Sequence, residues 1–270
     1  MTDRLAALPM YDLAELTAAN DAFWQVIRRS LEKAGLSHVP TALERAMPVE
    51  ALWDHPRLLL AQSCGYPLRT SLCGHVRLVA TPRYRAAGCS GARHRSALIV
   101  RAGDNRRNLE ALRGSRCVAN QPTSNTGMNL LRAAIAPLAG GRPFFDGVAW
   151  SGSHRNSITM VAEDEADLAA IDAVTLALLK RHEPDLVARV RILGWTASTA
   201  GLPFIAAGAT DDATLRLLRE TLLEVSTAPE AVSLRDELLL DGFEILSEQA
   251  YEEILGIERQ AAELGYPTLQ

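Results

Sequence analysis

Apolar positions recur at helical spacing over residues 13–34, where Leu16, Phe23, Ile27 and Leu31 lie on one face and Asp12 stands where a helix cap belongs. Gly35 ends the stretch, as a C-terminal cap does. Ahead of it, residues 8–11 read as the end of a first strand. Apolar runs at residues 39–43 and 57–62 read as strands on either side of a short helix begun by Pro48. A further helix is predicted from Tyr66-Pro67, and residues 76–81 read as a strand. Residues 82–95 are basic, irregular and glycine-containing, as a loop or crossover would be.

Strand and helix patterns then alternate. Strands are predicted at 96–101, 116–120, 148–151, 168–171 and 189–194, with helices at 126–138, 155–162 and 173–182 between them. The small-residue stretch 196–201 suits a second crossover, residues 203–207 read as a strand, and the tail is predicted helical at 211–226, 229–238 and 247–264. Such alternation implies an α/β fold in which mixed, mainly parallel sheets are flanked by helices. The two crossover-like breaks set off a central block, predicted as one lobe over residues 93–197, from a second lobe made of residues 1–92 plus 198–270. Ligands of open α/β sheets lie beyond the carboxyl ends of the strands, so the expected site is a cleft between the two lobes.

Composition narrows the function. A net charge of -4 argues against nucleic acid as a partner but leaves room for a small anion held by a local cluster of donors. The spacing of Cys64, Cys73, Cys89 and Cys117 fits no metal pattern. Free thiols are expected, with one disulfide among the first three as the alternative for an exported protein. No apolar run approaches the roughly 20 residues of a membrane helix. The first residues, Met1-Thr2-Asp3-Arg4, lack the basic and apolar segments of a secretory signal. The expectation is therefore a cytoplasmic protein, or a periplasmic one if a leader has been removed. No P-loop or dinucleotide fingerprint occurs, and no cofactor is expected.

Candidate chemistry concentrates where strands hand over to helices. Residues 112–128 read as strand, polar turn and helix, and place Ser124, Asn125, Thr126 and Gly127 at a helix start. Unpaired amides and the positive dipole end make such a start an anion site, although a plain Ser/Thr cap gives the same pattern. Ser151-Gly152-Ser153-His154-Arg155 repeats the handover, with His154 as an anion donor or a capping residue. Asp172 ends a buried strand, where it either caps the next helix or holds a cationic or hydroxyl group of a ligand. Tyr11 and Gln62-Ser63-Cys64-Gly65-Tyr66 end strands of the outer lobe, and the two tyrosines are candidates for a hydroxyl or an apolar wall.

The ordered set L-R-G-x-R-x-x-x-N-x-P-x-S-N-T-G-M, G-S-H, D-L-A-A-I-D and G-L-P-F, with L-L-A-Q-S-C-G-Y-P before it, resembles the phosphate/phosphonate receptors of ABC transporters. These are type II periplasmic-binding-protein folds, and the resemblance runs from Leu8 to about Ile257. It implies two lobes joined by crossover strands. It also implies that Ser124, Asn125, Thr126 and His154 grip phosphoryl oxygens. The expected ligand-binding set is completed by Tyr11, Gln62, Cys64, Gly65, Tyr66, His94, Gly127 and Asp172. Two departures stand out: Asn125 replaces a frequent hydroxyl donor, and His94 stands where tyrosine is common. The function so implied is a solute-binding protein, monomeric and not an enzyme, that captures a small oxyanion and presents it to an ABC permease. The alternative is a cytoplasmic enzyme or sensor of the same fold acting on a small carboxylate or phosphorylated metabolite, for which Cys64, His154 and Asp172 are the available groups.

Overall fold

Twelve strands run through the computed structural model, which describes residues 4–270. In chain order they are β1 (Leu5–Ala7), β2 (Leu58–Gln62), β3 (Val76–Tyr84), β4 (Arg93–His94), β5 (Ser96–Arg101) and β6 (Arg116–Ala119). There follow β7 (Gly147–Trp150), β8 (Leu168–Asp172), β9 (Val190–Trp195), β10 (Thr199–Ala200), β11 (Phe204–Ala207) and β12 (Leu240–Glu244). The chain divides into two units. The first holds the residues up to Arg85 with Ser90–Ala92 and Ala200–Ala250, and the second holds Ala86–Cys89, Arg93–Thr199 and Tyr251–Gln270.

In the first unit the sheet runs β1-β2-β11-β3-β12. Every residue of β2 and of β11 is buried, as expected of central strands covered on both faces. The helix Thr17–Lys33 turns Phe23, Trp24, Ile27 and Leu31 inward and packs against Asp212–Val225, which itself lies on β3 and β12. Trp24 Nε1 donates to the Pro40 carbonyl at 3.0 Å and Gln25 Nε2 to that of Thr41 at 2.8 Å. These bonds hold residues 39–43 as an irregular segment instead of the expected strand, and Pro40 has no amide to give a ladder. Residues 9–11 likewise form a 3-10 turn begun by Pro9 and not the end of a strand.

In the second unit the sheet runs β7-β6-β8-β5-β9. The helix Leu130–Ala139 covers one face together with Glu252–Glu263, so that Ala261, Tyr266 and Leu269 join Ile135, Phe144 and Cys117 in one core. The helix His154–Ala162 covers β5, β6 and β8. The C-terminal residues from Tyr251 onward thus complete this unit and not the first, to which the sequence pattern assigns them. The reason is the apolar face of the last helix and tail, which the core around Phe144 receives.

Both sheets are mixed and flanked by helices. β1–β2, β6–β7 and β6–β8 are parallel, whereas β11 runs antiparallel to β2 and β3, β12 to β3, and β5 to β8 and β9. The sheets are therefore less parallel than expected. The strands entered directly from a crossover, β5 and β11, run against their neighbours. The short strands β4 and β10, which precede them, pair with one another.

Candidate functional site

β6 ends at Ala119, and the chain turns through Asn120-Gln121-Pro122-Thr123 into a helix that runs to Ala139. Ser124 caps it: its backbone is extended, and its Oγ accepts the Gly127 amide at 3.0 Å. The first turn, Asn125–Asn129, is wound as a π-helix, with the Asn129 amide reaching the Ser124 carbonyl at 3.0 Å. Such widened turns gather at functional sites. The local sequence accounts for the winding. Asn125 Oδ1 accepts from Asn129 Nδ2 at 3.0 Å, and Asn129 Oδ1 from Arg132 Nη2 at 2.7 Å, a ladder of amides braced by a buried guanidinium. Asn125 Nδ2 donates to Thr199 Oγ1 at 3.0 Å, so this side chain anchors the turn within the unit.

The hydroxyl of Thr126 lies 3.0 Å from Nε2 of His154, the first residue of the helix capped by Ser153. The Thr126 carbonyl accepts from Ser96 Oγ at 2.7 Å, which ties the turn to β5. Burial pushes the His154 imidazole below its ordinary value; Asp172 and the Ala170 carbonyl act in the opposite direction, and His94 adds to the lowering. The ring is thus mostly neutral at neutral pH. A helix start that brings a hydroxyl and a titratable imidazole together can receive an oxyanion.

Asp172 ends β8 directly opposite Ser96 of β5. Its Oδ1 accepts the amides of Val174 at 2.9 Å and Thr175 at 3.0 Å, capping the helix Ala173–His182. Its Oδ2 pairs with His94 Nδ1 at 3.1 Å, and both side chains are sealed from solvent at 2% and 5% exposure. Desolvation would raise this carboxyl, but His94, His154 and the Thr175 amide together hold it at about 2.

The remaining candidates, Tyr11, Gln62, Cys64, Gly65 and Tyr66, belong to the first unit. Tyr11 is buried, its ring edge-on to Tyr84 at 5.2 Å. Gln62 donates to Tyr84 Oη at 3.1 Å and to the Leu202 carbonyl at 3.3 Å. Both line a cavity of ≈ 20 Å³, room for a water molecule but not for a solute. Both side chains are buried. Cys64 and Tyr66 are half-buried, and Gly65 opens a single helical turn.

Two polar groups outside the predicted ligand-binding set are also buried, one in each unit. Asn120 Oδ1 is buried without a hydrogen-bond partner beneath Gly127, and Ser63 Oγ is buried without one at the end of β2. Each directly follows a buried strand, the signal by which such groups could have been found. Among the described residues no cluster of His, Cys, Asp or Glu suits a metal ion, and no helix is long and apolar enough to cross a membrane.

Comparison with known proteins gives one family. The model of the ABC-transporter phosphonate periplasmic substrate-binding proteins matches residues 6–251. No curated protein matches the sequence. Among solved structures, the chain is similar to a binding-protein component of an ABC phosphonate transporter from Pseudomonas aeruginosa, with TM-score 0.76 and 14% identity over 97% of this chain and 88% of that one. It is similar to PhnD1 from Prochlorococcus marinus in complex with methylphosphonate, with TM-score 0.73 and 15% identity over 97% and 98% of the two chains. A Xanthomonas citri protein bound to ATP has TM-score 0.72 and 15% identity, again over 97% and 98%. At these identities the likeness is one of fold.

Proposed function

Since the chain belongs to the phosphonate-type periplasmic substrate-binding proteins of ABC transporters, we propose that it captures a small phosphonate-like oxyanion at the turn Ser124–Gly127 and His154. The family is one of transport receptors and not of enzymes, and it implies a permease as partner. The observation that carries the ligand reading is the 3.0 Å approach of Thr126 Oγ1 and His154 Nε2 at a helix start whose first amides have no intrahelical acceptor. Hydrogen bonds to a charged acceptor are shorter and stronger than neutral ones, and a tetrahedral oxyanion accepts several at once.

Ser124, Thr126, Gly127 and His154 hold the anion, whereas Asn125 holds the turn. The receptor works as a monomer in the periplasm, the compartment of its family. The solved relative from Prochlorococcus marinus carries methylphosphonate, which makes that compound the first probe.

The test is a thermal-shift screen of methylphosphonate, phosphate, sulfate and acetate, followed by calorimetry on wild type and His154→Ala. A ligand at 100 times its dissociation constant adds about 2.7 kcal/mol to stability. Loss of one charge-assisted bond costs about 1.5–3 kcal/mol, so His154→Ala is expected to weaken binding roughly 10- to 150-fold. Equal binding by both proteins would reduce His154 to the opening of a helix and overturn the site.

A further inference from the structure

Asp172 is the one acidic group among those that act on His154. Its surroundings decide what kind of ligand substituent it can meet. One oxygen is the cap of the helix Ala173–His182, held by two amides and approached by Thr175 Oγ1 at 3.4 Å. The other is paired with His94 Nδ1 at 3.1 Å, away from solvent. His94 is fixed in turn, since β4, which carries it, pairs with β10. Cys89 also feels the Asp172 charge; burial first, and Asp172 second, push its thiol up to about 12, so it stays neutral and contributes no anion. The candidate residues of this unit thus offer donors for an oxyanion and no uncommitted carboxylate for a cation.

Resting on the receptor reading above, we infer that the His94–Asp172 pair is a specificity device that selects oxyanions bearing a neutral substituent and rejects those bearing an ammonium group. An ammonium that needs a carboxylate has to take Asp172 from His94 or from the helix start, and a buried pair resists losing one member. A methyl or hydroxymethyl substituent makes no such demand. Discrimination of this kind comes from what the site refuses as much as from what it attracts. His94 is here a positioning residue, acting on the ligand through Asp172.

The experiment is calorimetric titration of wild type, His94→Ala and His94→Asn with methylphosphonate and 2-aminoethylphosphonate, with the melting transition of each protein recorded. Wild type is expected to bind methylphosphonate at least tenfold tighter. His94→Ala releases Asp172 and narrows that preference at least tenfold, through a gain for the amino compound. His94→Asn restores a donor near the position of Nδ1 and keeps the wild-type preference, a rescue that a merely structural role would not show. A wild type that binds the amino compound as tightly or tighter overturns the inference. So does a folded His94→Ala protein whose affinities for both compounds change by the same factor. Should His94→Ala fail to melt cooperatively, the wild-type preference and its retention in His94→Asn decide the question: both together support the inference, and the loss of either overturns it. Binding of neither compound by wild type overturns the receptor reading itself, and the inference falls with it.

Discussion

A methyl group on Gly127 would stand 1.8 Å from Oδ1 of Asn120 and 3.1 Å from Cε1 of His154. The absence of a side chain at Gly127 is therefore what lets the turn lie against the end of β6. Gly127→Ala is expected to cost about 1–3 kcal/mol through overpacking and to abolish oxyanion binding by displacing Thr126. The double variant Gly127→Ala/Asn120→Ala vacates the clashing position and should recover part of the stability. Additive losses in a double-mutant cycle would show that the two residues do not meet.

The Thr126 hydroxyl is assigned a direct bond to the ligand. Thr126→Val keeps the shape and removes the donor, with an expected affinity loss of roughly 10- to 150-fold. Thr126→Ser keeps the donor and should stay within a few-fold of wild type. Calorimetry on both variants separates hydroxyl from packing.

Protonation of His154 makes Nε2 a donor whatever the tautomer of the neutral ring, and so frees the Thr126 O–H to point at an anion. Free in the protein, the ring titrates below 6.5 because burial opposes its charge, with Asp172 and the Ala170 carbonyl facing it on one side of the balance and His94 on the other. A bound oxyanion raises that value. Binding near pH 6 should therefore take up protons, and affinity should rise as pH falls below 6.5. Titrations in buffers of different ionisation enthalpy measure the uptake, and His154→Gln should remove it.

Asp172 connects the fold to acid stability. Its carboxyl sits at about 2 in the folded protein against an ordinary 3.8, so the folded state favours the charged form. The stabilisation is full above 3.8 and is lost as pH falls from there toward 2, roughly 2 kcal/mol in all. Asp172→Asn should be less stable than wild type at neutral pH, and the difference should shrink across that window. A difference constant between neutral pH and pH 2 would contradict the assignment.

None of the four cysteines is in a disulfide, and their surroundings rank them. Cys73 is exposed and should react first with a thiol reagent, whereas burial pushes the thiols of Cys89 and Cys117 upward and should delay them. Complete denaturation should release four thiols per chain. Fewer would mean that a disulfide has formed.

The sequence made the regular elements plain where periodicity and capping agree. The helix predicted at 173–182 is Ala173–His182, because Asp172 is the cap its position suggested and a buried apolar strand precedes it. β12 stayed unread for a physical reason: Asp241-Gly242 looks like a turn, yet Gly242 at φ +149° sits in a strand whose register shifts between Leu240 and Gly242. At the candidate site, the helix starts that carry Ser124, Thr126 and His154 were readable from the strand-to-helix handovers. The pairing of His94 with Asp172 was not, since it joins residues far apart in the chain whose meeting depends on the antiparallel placing of β5 beside β8. The role of Gly127 was hidden likewise, because only the packed turn shows that Asn120 fills the place of its missing side chain.

The return of the chain to the second unit at Tyr251 bears on how the protein is made. Leu269 and Tyr266 belong to the core around Phe144, and the Gln270 carbonyl accepts the amides of Phe144 and Phe145. The first unit in turn lacks its central strand until Phe204–Ala207 has been synthesised, and β12 follows later still. During synthesis, then, neither sheet-and-helix body can close while its earlier residues alone have left the ribosome. The apolar strand β2 waits for its partner β11, encoded much later. Such a chain folds slowly and shows exposed sheet edges meanwhile, and each body commits to its native packing only once these distant segments have met.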